Sequence, residues 1–321
     1  MNSGSDSSKK GLTQAEIEQG FRRIGLEPGQ VVLVHSAMRT FGYIAGGADS
    51  VVGAFLEVLG LRGTLVTPTF TFCHEAEADP IIDPLQDPSE MGIITETVRL
   101  HPEALRSTAY RHSFAAVGRY RETITQVDPS LSPFDLRSAF GVMLALDTQV
   151  VLLGMPYSTS TSHHFAEWIC EVPYRHILPL ELRVRLPDGS LKRQRMTDYQ
   201  PKPGEGGAYY QKHMDFNRLG KMMEDRGLVG ITAIGNAVVR CFGIRDLVAL
   251  AEVEAAKDYN IFRVADGKPD DYFTRLDFGQ IVHSPEMCDG AGRTSHYLWS
   301  VVDEEILRES FPAPELSRSP E

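Results

Sequence analysis

The sequence has few cysteines and no long apolar run. No stretch of its 321 residues approaches the roughly 18 uninterrupted apolar residues of a transmembrane helix, so we expect no membrane contact. Residues 1–11 are rich in Ser and Lys and have no apolar core, so a secretory signal is not expected. The four cysteines form no CxxC pair, which argues against a zinc ribbon or a disulfide scaffold. A cytoplasmic location fits these absences best.

Basic residues are also scarce. The chain has 32 Lys and Arg against 43 Asp and Glu, giving a net charge of −11. This balance argues against a nucleic-acid partner and is compatible with a cationic small molecule. The sequence contains no P-loop, GxGxxG fingerprint, GxSxG elbow or HExxH pair. ATP, NAD, serine-hydrolase and zinc-peptidase chemistry are therefore not favoured.

What the sequence does contain is an alternation of helix and strand patterns. Thr13–Leu26 predicts a helix capped by its first residue, and the apolar run Val31–His35 predicts a buried strand. A second helix, capped by Asp49 or Ser50, precedes a strand over Gly63–Phe70. This strand–helix–strand order predicts an α/β fold with a mostly parallel central sheet flanked by helices.

Later segments fit the same sheet. Ser113–Gly118 and Gln149–Gly154 predict further strands. Leu180–Arg195 alternates apolar and polar residues around Pro187–Gly189, which predicts an exposed antiparallel hairpin insertion. Gly227–Ala256 predicts a strand–helix pair followed by another helix.

The domain organisation follows from the absence of a clear linker. We expect a flexible tail over residues 1–12 and a single domain over residues 13–321. Residues 261–321 are polar and weakly periodic, so they are predicted to form a C-terminal extension of uncertain role.

The segment Thr161–Glu167 is the first candidate for chemistry, because ligand sites in α/β sheets lie beyond the carboxyl ends of the strands. On a helix, His164 and Glu167 share a face, and a carboxylate beside an imidazole orients it as a general base. The spacing alone leaves two alternatives open: a surface histidine paired with a helix acid, or His163 as the active ring. A metal site is disfavoured because no nearby Cys or His completes a ligand set.

Two regions carry candidate binding residues. The glycine-containing turn after His35 lets backbone N–H groups approach an anion at a helix N-terminus, although such turns are also common as plain connections. Cys73–Glu90 has several acidic residues and no Lys or Arg, so it would attract a cationic substrate; the alternative is a solvated acidic loop. Arg106 is a candidate phosphate ligand or a solvated surface arginine.

Taken in chain order, these segments resemble the aminoglycoside 3-N-acetyltransferase family, antibiotic N-acetyltransferases that are unrelated in fold to the GNAT enzymes. The resemblance is carried by HSxxR, GGxxSV and GTLVxPTF within Val32–Phe72, by RS…SFAAVG over Arg106–Gly118, and by TxxHxxE within Ser132–Arg175. GNAVVRCFGIRDLV near residue 240 is similar to the family's closing pattern. This ordered combination is far more specific than any one of its parts.

The resemblance implies transfer of an acetyl group from acetyl-CoA to an amine of an aminoglycoside, by direct attack on the thioester. His164 would be the general base, Glu167 its orienting partner, and Thr161 would lie close to the thioester. The residues implied to contact acetyl-CoA are His35, Ser36, Ala37, Gly46, Gly47, Arg106 and Ser107. Those expected to bind the cationic acceptor are Glu75, Glu77 and Asp79.

This chain departs from the family pattern at two places. Ala109-Tyr110 stands where the family usually has His-Pro, and Ala37 stands where a second serine is common. Alternatives therefore remain: an N-acyltransferase for another amine, or an idle protein that binds CoA or an aminosugar. A hydrolase that uses Ser36 or a metal is less favoured. We expect no metal cofactor and a monomer or homodimer.

Overall fold

The computed structural model describes residues 11–77, 79–202 and 214–263. The first helix, α1, spans Gln14–Arg23 and has the predicted capping box between Thr13 and Glu16. Most of the predicted tail and C-terminal extension lies outside the described residues. Leu12, predicted to belong to the tail, instead forms a bridge with Ile44, and its backbone N–H donates to the carbonyl of Tyr43 at 2.9 Å.

A strand–helix–strand unit follows, as predicted. Strand β1 (Val31–Ser36) leads through α2 (Gly47–Leu59) to β2 (Thr64–Pro68), and the two strands pair in parallel. The predicted cap at Asp49 or Ser50 is wrong, because α2 is preceded by Gly46 as its N-cap. Gly46 has a φ of 80°, a left-handed conformation that glycine adopts without strain, so the chain enters the helix earlier.

The remaining helices and strands follow in chain order. They are β3 (Ile81–Ile82), α3 (Ile93–Arg99), β4 (Leu105–Arg106), β5 (Phe114–Gly118), α4 (Arg121–Thr125), α5 (Ala139–Ala145), β6 (Gln149–Leu153), α6 (Thr161–Ile169), β7 (Arg175–Arg185), β8 (Leu191–Pro201), α7 (Phe216–Asp225), β9 (Val229–Ile234), β10 (Ala237–Gly243) and α8 (Ile244–Ala255). Among the described residues, no helix is long and apolar enough to cross a membrane.

The central sheet has seven strands in the order β4-β5-β2-β1-β6-β10-β9. Strand β1 pairs in parallel with β2 and β6, whereas every other neighbouring pair is antiparallel. By direction, β4, β2, β1, β6 and β9 therefore run one way, and β5 and β10 run the other. The α/β prediction with a mostly parallel sheet is confirmed in strand direction, while parallel pairing is confined to the centre.

The prediction for Gly227–Ala256 is wrong in its first half. The segment forms the antiparallel hairpin β9–β10 before α8, rather than a strand followed by two helices. A two-residue turn, Gly235-Asn236, joins the strands, and Gly235 has a φ of 59°. Glycine at that position suits a tight hairpin turn, so local turn chemistry explains the difference.

The predicted hairpin insertion is present and longer than expected. Strands β7 and β8 pair from Arg175 and Pro201 at the base to Arg185 and Leu191 near the turn, and β3 adds a third strand. One face is not exposed, because apolar side chains cluster there. They are Ile82, Leu182, Val184 and Met196.

Apolar cores lie on both faces of the central sheet. The alternation of side chains along β1 supplies both: Val31 and Leu33 face one core, and Val32 and Val34 face the other. Helices α1, α2 and α3 cover the second core, and α5, α6, α7 and α8 cover the first. This sandwich fixes α6 against the carboxyl ends of the central strands.

A histidine is buried in the first of these cores. His163 on α6 is 0% exposed and its ring stacks on Phe216, with the centroids 5.0 Å apart. Neither ring nitrogen has a hydrogen-bond partner among the described residues. Burial lowers the pKa of His163 well below its usual value, so the ring is held neutral.

We expect Gly154→Ala to destabilise the fold. Gly154 follows β6 with a φ of 63°, and a Cβ there would overlap the side chain of Thr40. Backbone strain of about 1 kcal/mol and a steric term of about 2 kcal/mol should lower the free energy of unfolding, measured in urea. Gly60→Ala is the matched control, since its φ is 61° with no described atom within 4 Å. Equal losses in the two variants would contradict the packing argument.

His163→Phe should weaken the acid sensitivity of the fold. Because the folded pKa lies below the unfolded value of 6.5, the unfolded chain takes up a proton as pH falls below 6.5 and the folded chain does not. Wild-type stability is therefore lost on acidification. Removing this histidine should reduce the slope of unfolding free energy against pH, between about 6.5 and 5, by about 1.4 kcal/mol per unit. Urea titrations at several pH values measure it, and an unchanged slope would count against a neutral buried ring.

Candidate active site

Helix α6 begins at the edge where the parallel strands end. The ends of β1 and β6 are tied together there, because the backbone N–H of Ala37 donates to the carbonyl of Leu153 at 2.9 Å. The left-handed turn at Gly154 then leads the chain away from β6 and into α6. Side chains in the first turns of α6 therefore lie beyond the carboxyl ends of β1 and β6, as predicted for an α/β ligand site.

The predicted pair is brought together on α6. Nδ1 of His164 lies 2.6 Å from Oε2 of Glu167, one helical turn further on. The carboxylate is fully buried at 0% exposure, while the His164 side chain keeps 17% exposure. His163 faces the core, so of the two adjacent histidines His164 is the one whose side chain keeps some exposure to solvent.

Glu167 is held as an anion despite its burial. Desolvation opposes ionisation, but the charge of Arg175 and hydrogen bonds from His164 and Tyr174 outweigh it and lower the pKa of Glu167. Tyr174 donates its hydroxyl to Oε1 at 2.8 Å. On the other oxygen, Oε2, Nε of Arg175 makes an ion pair at 2.8 Å. Three groups thus compensate one buried charge.

His164 is held neutral by the same surroundings. Burial lowers the pKa of His164, the charge of Arg175 lowers it further, and Glu167 opposes both without overcoming them. The short contact with an ionised carboxylate places the ring proton on Nδ1, because a lone pair there would repel Oε2. The lone pair is then on Nε2, where a general base needs it.

Aromatic side chains fix the orientation of this ring. Phe134 and Phe216 meet His164 edge-on, at centroid distances of 6.2 Å and 4.8 Å. The ring of His112 also packs on Phe134, at 5.0 Å, and burial lowers its pKa to about 4. Sequence reasoning did not single out these residues, because their positions along the chain carry no motif that points to His164.

The predicted cofactor residues near β1 lie close to this edge. His35 is buried at the end of β1, and its Nε2 has no hydrogen-bond partner among the described residues. Burial lowers the pKa of His35 to about 4. Gly46 and Gly47 form the start of α2, where no side chain caps the helix. Thr161, the first residue of α6, is 7% exposed and lies one turn before His164.

Arg106 and Ser107 are engaged by the protein itself. Arg106 donates to Thr69, Thr71 and Ser113, and to two backbone carbonyls of the acidic segment, defined as Cys73–Glu90. Each of its N–H groups therefore faces a protein oxygen. Ser107 accepts from the backbone N–H of Phe114 at 2.9 Å. These contacts anchor β4 and the acidic segment, and contact with a cofactor stays a prediction for both residues.

The acidic segment is partly neutralised by an arginine of β7 and by a histidine of its own. Asp79 pairs with Arg183 of β7, with Oδ2 and Nη2 2.9 Å apart. Glu77 lies 3.2 Å from Nδ1 of His74, whose other nitrogen contacts Asp87 at 2.9 Å. The side chain of Glu75 lies outside the described part of the structure. The prediction that these acids bind a cationic acceptor therefore stays a prediction.

Within residues 11–77, 79–202 and 214–263, no group of three or more His, Cys, Asp or Glu residues is placed to hold a metal ion. At this edge the structure pairs one base, His164, directly with a carboxylate, Glu167.

Known proteins with similar sequences are acetyltransferases. A family model described as aminoglycoside 3-N-acetyltransferase matches residues 33–254. Aminoglycoside N(3)-acetyltransferase IV of a Salmonella species is 30% identical over 252 residues, which cover 78% of this chain and 89% of that protein. Aminoglycoside N(3)-acetyltransferase VII of Streptomyces paromomycinus is 28% identical over 261 residues, covering 74% and 89%.

Solved structures show the same fold. The apoenzyme of aminoglycoside acetyltransferase AAC(3)-IVa superposes with a TM-score of 0.65 at 27% identity, covering 81% of this chain and 94% of that one. The binary complex of AAC-IIIb with CoASH has a TM-score of 0.67 at 22% identity, covering 76% and 96%. The predicted family and fold class are confirmed, and with them an acyltransferase that uses acetyl-CoA as its cosubstrate and a small-molecule amine as its acceptor. The chain belongs to the aminoglycoside 3-N-acetyltransferase family.

Proposed function

We propose that this chain acetylates an amine of a cationic aminoglycoside, with His164 as the general base and Glu167 as its orienting partner. The observation that carries the proposal is the 2.6 Å contact between His164 Nδ1 and the buried Glu167 carboxylate, since it directs Nε2 outward as a base. Solved structures of AAC(3)-IVa in complex with a gentamicin and with apramycin, at 27% and 26% identity, support an acceptor of this class.

The acceptor nitrogen loses two protons in this reaction. An ammonium group has no lone pair with which to attack a thioester, so its first proton goes to solvent. The neutral amine then attacks and gives a second proton to Nε2 of His164 as the C–N bond forms. Glu167 stabilises the imidazolium that forms. With acetyl-CoA and the amine held in one cleft, direct attack requires no acyl-enzyme. The negative charge that develops on the carbonyl oxygen needs donors, which Thr161 or a backbone N–H of α6 supplies in this proposal.

The residues at the start of α2 fit the cosubstrate. Because no side chain caps α2, its first N–H groups and its dipole favour a phosphate or the polar pantetheine arm. His35, Ser36 and Ala37 border the same edge, and the unpartnered Nε2 of His35 is a buried polar atom that a ligand would satisfy. This second observation supports the assignment of the β1–α2 connection to acetyl-CoA.

The regiochemistry implied by the family is acetylation at the 3-N position. We assign binding of the acceptor to the acidic segment.

A net charge of −11 and free cysteines at Cys73, Cys170 and Cys241 support a cytoplasmic protein. The monomer or homodimer expected from the sequence stays a prediction. An N-acyltransferase for another amine is the second candidate, favoured by the departure from the family pattern at Ala109-Tyr110, which line a cavity that also borders His112.

We expect His164→Ala to lower kcat/KM at least 100-fold, in line with the typical contribution of about 10² to 10⁴ from a positioned base. Free CoA release in the presence of an aminoglycoside panel measures the rate, and the mass of the product confirms acetylation. His101→Ala is the matched control, since His101 lies in a turn after α3 and accepts from the backbone N–H of Glu103. Wild-type turnover in His164→Ala would refute the mechanism. Binding of acetyl-CoA and amines without any thiol release by the wild type would favour the idle binding protein.

Neutralising Glu75, Glu77 and Asp79 to Gln, Gln and Asn should raise the KM for a polycationic acceptor. The expected increase is about threefold to tenfold at low ionic strength and smaller at high salt, because salt screens exposed charges. Initial rates at two salt concentrations measure the effect. The acetyl-CoA KM should stay unchanged.

A second triple variant controls for net charge. Glu18, Glu27 and Glu252 lie on α1, in the following turn and on α8, and their replacement by Gln removes the same total charge. If both triple variants raise KM equally, the acidic segment has no specific part in binding the acceptor.

A further inference from the structure

Arg175 contacts both members of the catalytic pair. It is the first residue of β7 and is 7% exposed, although it carries a full charge. Its Nε lies 2.8 Å from Glu167 Oε2, and its Nη2 lies 2.8 Å from His164 Nδ1. The base of the hairpin therefore places a guanidinium group directly against the general base.

The orientation of Arg175 is fixed on its other side by Tyr199 of β8. Its Nη1 donates to the Tyr199 carbonyl at 3.0 Å, and the guanidinium lies over the Tyr199 ring at 4.9 Å. An arginine that is held by a carbonyl, a ring and a carboxylate has little rotamer freedom. Its positive charge is therefore held in one position, beside Nδ1 of His164.

The guanidinium and Glu167 impose opposite demands on Nδ1. A donor at 2.8 Å would favour a lone pair on that nitrogen, whereas the carboxylate at 2.6 Å favours a proton there. Because Glu167 Oε2 is shared by both groups, it neutralises Arg175 and orients His164 at once. The resting cluster then has one anion, one cation and a neutral ring, and protonating His164 leaves it with a net positive charge.

We propose that Arg175 is a positioning residue that keeps His164 neutral between turnovers and drives it to return its proton. The inference rests on the proposed function, in which Nε2 accepts the amine proton as the C–N bond forms. The C–S bond then breaks with its electron pair on sulfur, and Nε2–H protonates that thiolate. A cation beside the ring favours this last transfer, because it destabilises the imidazolium.

The other groups that face His164 do not supply such a charge. On α6, burial keeps His163 neutral by lowering its pKa well below the usual value. Ahead of β5, burial lowers the pKa of His112 to about 4. On β8, burial raises the pKa of Tyr199 above its ordinary range, so its hydroxyl stays protonated. Among the described neighbours, Glu167 and Arg175 are thus the ionised groups that act on the His164 pKa in addition to burial.

The test compares Arg175→Gln, which loses the charge, with Arg175→Lys, which keeps it without the planar fork. The ring of His164 is titrated by NMR on ¹⁵N-labelled protein without substrates, with His164→Ala used to assign its signals. Removing the cation should raise the His164 pKa by about one unit in the Gln variant. Since the neutral ring is the active form, the acid limb of kcat/KM should move to higher pH by the same amount. In the Lys variant both should stay near wild type.

Arg193→Met is the matched control on the same hairpin, because Arg193 is exposed on β8 and pairs across from Arg183, away from Arg175. It should change neither the titration nor the pH profile. A uniform loss of rate in Arg175→Gln, with no shift of the ring titration or of the acid limb, would show a structural anchor only and overturn the proposal. If Arg175→Gln does not fold, Arg175→Met is titrated in its place under the same criteria.

Failure of the proposed function gives a different result. Wild-type protein that never releases thiol would refute acetyl transfer, whereas the ring titration needs no turnover. If the wild type is inactive but Arg175→Gln still raises the His164 pKa, the electrostatic role of Arg175 is retained. The proposed return of the proton to sulfur is then refuted.

Discussion

The site depends on one buried carboxylate. Glu167 has no exposure, yet it is ionised because Tyr174, Arg175 and His164 each direct a donor or a charge at it. An ionised carboxylate without such partners would be too costly to bury. This anion determines both the tautomer of His164 and the position of the Arg175 side chain. Through Arg175, it also determines the packing of the β7–β8 hairpin against α6.

The family resemblance and several local features could be predicted from the sequence. The capping box at Thr13, the β1–α2–β2 unit and the pairing of His164 with Glu167 all depend on residues close in sequence. The turn at Gly235-Asn236 carries a hairpin signal that the prediction of a helix after the first strand overlooked. The choice between His163 and His164 was not available from spacing, because it depends on which side of α6 faces the core.

Features that depend on distant residues could not be predicted. The acidic segment has no Lys or Arg of its own, but the hairpin brings Arg183 to Asp79, more than one hundred positions earlier in the chain. Arg106 is a predicted phosphate ligand, and the sequence does not show that its donors also contact oxygens from the end of β2 and from the acidic segment. In both cases a charge was visible in the sequence, and its partner was determined by the fold.

The contacts of the β7–β8 hairpin limit how the length of β7 can change during evolution. Arg175 at the base meets the catalytic pair, and Arg183 and Arg185 further along meet Asp79 and Asp83. Successive side chains of a strand point to opposite faces, so inserting one residue between these arginines would reverse every later side chain. Descendants of this chain can therefore lengthen or shorten β7 only in steps of two, unless a bulge absorbs the odd residue.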